Sequence, residues 1–62
     1  MDDVAKYKMI QAMQRYGGSF VNALGQAFMF ADRTNTEILL RAFPHYVKEY
    51  GPGSKFDKSI DD

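Results

Sequence analysis

Glycine and proline divide this chain at intervals too short for anything but a few compact helices. Gly17-Gly18-Ser19 separates two stretches with helical periodicity, Pro44 interrupts a third, and Gly51-Pro52-Gly53-Ser54 closes the last. A double glycine followed by serine ends one helix and caps the next. Proline cannot continue a helix without losing a backbone hydrogen bond, and it biases the preceding residue away from helical angles. The expected fold is all-α, a small bundle of three main helices plus a short C-terminal helix after Pro44. Residues 1–51 form the single helical domain, and residues 52–62 read as a flexible polar tail.

The first helix has Asp2 or Asp3 as N-cap, either carboxylate suiting the positive end of the helix dipole. Nothing breaks it before Tyr16. At about 100° per residue, Ala5, Met9, Ala12, Met13 and Tyr16 share one side, with Ile10 at its edge. Lys8, Gln11 and Arg15 lie on the other side, and Val4 and Tyr7 fall outside the apolar stripe. Gly17 is expected to close this helix in a left-handed conformation.

Ser19 is the expected N-cap of the second helix, whose apolar face is Phe20, Val21, Leu24, Ala27, Phe28 and Ala31. Asn22 and Gln26 mark the opposite side. Gly25 sits mid-helix, where it costs up to about 1 kcal/mol relative to alanine, so close approach of another backbone is expected there. Met29 and Phe30 project off the main face and leave the end of the helix apolar nearly all round. A core this small cannot easily surround a helix, so Gly25, Met29 and Phe30 are the expected interface residues, with self-association the expected result.

Thr34-Asn35-Thr36-Glu37 matches a capping box, predicting a third helix over about 35–42 with Ile38, Leu39, Ala42 and Phe43 on its apolar face. A short helix over about 44–50 follows, with Pro44 in its first turn and Tyr46, Val47 and Tyr50 packed back on the core. Phe56 and Ile60 are isolated in the polar tail.

The chain has 62 residues, eight basic and eight acidic side chains, one histidine and no cysteine. Disulfides and thiolate metal sites are therefore excluded. No apolar run approaches the ~20 residues of a membrane span, and Met1-Asp2-Asp3 is acidic where a signal peptide is basic. These features point to the cytoplasm. His45 has only Glu49, four residues on, as a carboxylate on its helical face, which is too little for a metal site. Asp57, Asp61 and Asp62 lack the spacing and glycine of a calcium loop. Ser19, Ser54 and Ser59 have no base at a recognisable spacing. Neither enzyme activity nor a cofactor is expected.

Three short helices with tight turns could imitate a helix-turn-helix, but a reading helix needs exposed Arg, Lys, Asn or Gln in its first turns. The second helix offers Asn22 and Gln26, and the third Thr36, Glu37 and Arg41. Lys8, Gln11 and Arg15 are the candidate nucleic-acid contacts on the first helix. With no net charge to attract a polyanion, a DNA-binding regulator stands second to a protein-interaction module.

The segment from Tyr16 through Gly17, Gly18, Ser19, Phe20 and Val21 to Ala23 and Leu24, then Ala31-Asp32, then Ala42-Phe43-Pro44 with Tyr46 and Tyr50, resembles a group of small uncharacterised phage and prophage proteins. These share a YGGSFV-AL … AD … AFP-Y pattern, and the likeness spans about residues 7–50. It implies a shared helical fold and a viral origin, and with them a small accessory or inhibitor protein acting on a host component. Its motifs are structural punctuation and carry over no catalytic or binding residue.

Overall fold

The computed structural model describes residues 1–57, and among them lie four α-helices and no strand. They are α1 (Asp3–Tyr16), α2 (Ser19–Phe30), α3 (Arg33–Ala42) and α4 (Pro44–Tyr50). The all-α bundle, with three main helices and a short one after Pro44, is the architecture the sequence predicts. α1 packs chiefly along α2, α4 folds back onto α1, and α3 bridges α2 to α4.

Asp2 caps α1, its Oδ1 accepting a hydrogen bond from the Ala5 amide at 2.7 Å. Gly17 ends the helix, but not in the left-handed conformation expected of it: its backbone is extended, φ −83° and ψ 159°. Space, not φ, demands glycine here. A Cβ at position 17 would overlap the Val21 side chain and lie 2.6 Å from the Met13 carbonyl oxygen. The glycine with positive φ is Gly53, at 81°, in the turn after α4.

Two further expected caps move. Gly18, not Ser19, is the N-cap of α2, and no side chain caps it; helical angles begin at Ser19 itself. Asp32, not Thr34, caps α3, its Oδ1 accepting from the Asn35 amide at 2.8 Å. The carboxylate two residues earlier wins because it is already extended and aimed at the first-turn amides, so α3 begins at Arg33 and Thr34 lies inside its first turn. Pro44 behaves as expected, taking the first turn of α4 while Phe43 leaves the helical region at φ −129°, ψ 56°.

The core comprises Met9, Ile10, Ala12 and Met13 of α1, Val21, Leu24 and Phe28 of α2, and Tyr50 of α4. Leu39, Leu40, Phe43, Tyr46, Val47 and Phe56 pack against it. Gly25 is buried at a close approach of α1 to α2: a Cβ there would stand 3.2 Å from both Met13 Cβ and Gln14 Cγ. On α3 the inward residues are Thr36, Leu39 and Leu40, whereas Ile38 and Ala42, expected on the apolar face, are exposed. The reason is polar. The Lys6 ammonium donates to the Ala31 carbonyl and to Thr36 Oγ1, both at 2.9 Å, and this turns the Thr36 side of α3 inward. At the other end of the hairpin, Asn22 Nδ2 donates to the Gln14 carbonyl at 3.2 Å. Each helix of the pair thus sends a side chain to the carbonyl end of the other.

The chain past α4 does not separate from the domain where expected. Phe56 stacks between Tyr16 and Tyr50, with ring centroids 4.4 and 5.3 Å away and planes within 12° and 9°. Asp57 Oδ2 accepts from the Gly53 amide at 2.7 Å, which folds the turn that delivers Phe56. Residues 58–62, with Asp61 and Asp62, lie outside the described residues.

Three substitutions test this arrangement by urea denaturation. Asp32→Ala should cost about 1 kcal/mol and Thr34→Ala less than about 0.5 kcal/mol; the reverse order would restore the capping box as the helix start. Phe56→Ala removes two ring pairs worth about 0.5–1.5 kcal/mol each. An unchanged denaturation midpoint would show that Phe56 contributes no packing.

Candidate interaction surface

Helix α2 is covered on one side only. Val21, Leu24, Gly25 and Phe28 make its buried arc, and they face α1. Across the helix, at about 100° per residue, Phe30 falls nearly opposite Phe28, with Ala23 and Ala27 beside it. All three are exposed, as is Phe20 at the flank of the same face. Phe30 is 83% exposed, Phe20 57% and Met29 50%. Phe20 leans on the rings of Phe43 and Tyr46, with centroids 6.0 and 5.7 Å away, so its position is held from within the chain. From Gly17 to Ala31 the sequence contains no Asp, Glu, Lys, Arg or His. Exposed Ser19 and Gln26 border these residues on the side of Phe30, and the stripe of two phenylalanines and two alanines beside them, without a charge along its length, has the composition of an interface core.

The expected interface trio divides here. Met29 and Phe30 are exposed, but Gly25 is buried against α1 and serves the packing of the monomer. A mid-helix glycine signals close approach without saying on which side the neighbour lies. Phe20 and Ala27, expected on the core face, turn outward instead, because α1 covers most of the buried arc of α2, α3 touches the helix only lightly, and the arc is narrow. The full stripe, Phe20-Ala23-Ala27-Phe30, was legible only once that arc was known.

Lys8, Gln11 and Arg15 do come together. With Ala12, Gln14, Tyr16 and Phe56 they line an open groove of about 560 Å³. The Arg15 guanidinium lies 5.7 Å from the centroid of the Tyr16 ring, and the Lys55 ammonium 5.1 Å from that of Phe56. Among the described residues no carboxylate lines the groove. Its floor is the stack of Tyr16 on Phe56, and beneath Phe56 lies Tyr50, whose phenol is pushed above its ordinary pKa by burial and then by the nearby Glu49 and Tyr46.

His45 is 83% exposed, with Nε2 3.9 Å from Glu49 Oε1. Among the described residues no three His, Cys, Asp or Glu side chains gather as a metal site would require, and no helix is long and apolar enough to cross a membrane. Comparison with known protein families, curated proteins and solved structures finds no match.

The Tyr50 phenol gives the fold a pH dependence. Its folded pKa lies above the unfolded value near 10, so the unfolded chain loses its proton first. The stability that neutral Tyr50 contributes is whole below about pH 9 and is lost as pH rises past about 10. Tyr50→Phe should flatten that alkaline decline and leave stability at pH 7 nearly unchanged. Urea titrations from pH 7 to 11 check it; an equally steep decline in the variant would assign the titration elsewhere.

Proposed function

We propose that this chain is a small protein-interaction module, a phage-type accessory or inhibitor protein that binds a host component in the cytoplasm. The outer face of α2 is the docking surface. The observation that carries this reading is Phe30, a phenylalanine left 83% exposed at the end of a charge-free helix. Burying such a side chain is worth roughly 1.5–3 kcal/mol, and monomeric proteins seldom leave that unused. An inhibitor of this kind needs no catalytic group, only a rigid apolar anchor, and Phe30 has the size of those that dominate binding at protein interfaces.

A DNA-binding regulator is the alternative, favoured by the groove that gathers Lys8, Gln11 and Arg15 over the Tyr16–Phe56 rings. The two readings differ in salt dependence. With Lys8 and Arg15 as phosphate contacts, the logarithm of affinity should fall with the logarithm of salt at a slope near −2, whereas apolar docking should hold or strengthen.

A photo-crosslinking residue placed at position 30, and as a control at position 45, tests the reading in bacterial lysate. The expected result is one discrete adduct from position 30, none from position 45, and persistence of the adduct at about 1 M salt. Equal labelling from both positions would overturn the proposal. Loss of all binding at high salt, together with retention on DNA, would put the regulator in its place.

A further inference from the structure

The outward stripe of α2 is a palindrome. Phe20, Ala23, Ala27 and Phe30 sit symmetrically about position 25, five and two residues to either side. A two-fold symmetric interface requires that if residue i meets residue j, then j meets i. Two copies of α2 laid antiparallel satisfy this with no mismatch. Phe20 of each meets Phe30 of the other, Ala23 meets Ala27, and the alanines at the centre let the helix axes approach to about 8 Å. Resting on the reading of α2 as the docking surface, we infer that its occupant is a second copy of this chain, paired antiparallel across the Phe20-Ala23-Ala27-Phe30 stripe.

Charge agrees with that pairing. Burying residues 17–31 against themselves leaves no charge unpaired, since the segment has none.

Area sets the strength. A stable interface takes about 800 Å² from each partner, and one chain exposes 4504 Å² in all. A single helical stripe supplies less than that, so the dimer is a weak, exchanging one. A tighter host partner can therefore displace the second copy from the same face.

Sedimentation equilibrium up to about 1 mM tests the proposal, with the variants Phe20→Lys and Phe30→Glu checked for helicity by circular dichroism. Each alone should weaken association about tenfold or more. An equimolar mixture should recover it, because antiparallel pairing places the introduced lysine beside the introduced glutamate and keeps the other Phe–Phe contact. The chain has no cysteine, so Phe20→Cys and Phe30→Cys offer a second readout. Mild oxidation of the mixture should join position 20 to position 30 in preference to 20–20 or 30–30. A wild-type chain monomeric at 1 mM, absence of recovery on mixing, or preferred 20–20 linkage would each overturn the pairing. A monomer that still crosslinks a host protein through position 30 would leave the interaction reading standing, and loss of both would remove the two together.

Discussion

The contact between α1 and α2 at Gly25 governs everything else in this fold. With no side chain at position 25, Met13 and Gln14 can lie directly against the α2 backbone, and Met9, Met13 and Phe28 become fully buried around that point. Each is worth roughly 1.5–3 kcal/mol of transfer free energy. For a chain whose net stability is a few kcal/mol, those three residues decide whether it folds. α3 and α4 add half-buried side chains to the rim of a core the hairpin has already made. Met at two of the central positions suits this role, since its flexible thioether fills an irregular gap between closely spaced helices.

Much of the fold is legible in the sequence because it is local. Gly17-Gly18 and Pro44 act on their own backbone neighbours, and the breaks fall where those residues stand. The caps are less legible because several polar residues compete within two positions. Asp32 and Thr34 both fit the pattern, and the choice turns on backbone angles that the sequence does not display. Least legible are contacts between distant residues without periodicity. Nothing around Phe56 announces that it will enter between Tyr16 and Tyr50, and the 100° periodicity that finds apolar faces says nothing of Lys6. At the candidate surface, Phe30 could be found from its angle off the core arc. The burial of Gly25 could not, because Phe20, Ala27 and Ala31 draw the expected apolar face away from its side of the helix.

The two sides of the molecule differ in chemistry. The outer face of α2 is apolar and uncharged, whereas the groove along α1 is cationic at its rim and aromatic at its base. A single small domain can therefore offer an apolar partner and an anionic one separate surfaces, since α1 and α2 turn opposite sides of the hairpin to solvent. The narrow thickness of so small a core favours this, since α1 and α2 each have a buried arc and a larger exposed one.

Lys6 has a consequence for how the molecule comes apart. Its ammonium reaches from the first turn of α1 to the end of α2 and to Thr36 in the first turn of α3, so three helices meet at one side chain. Fraying of the α1 N-terminus, ordinarily the least costly local opening in a helical domain, must here release the α2–α3 corner as well. The first turns of α1 and α3 are thereby tied at one ammonium, although thirty positions separate Lys6 from Thr36 along the chain.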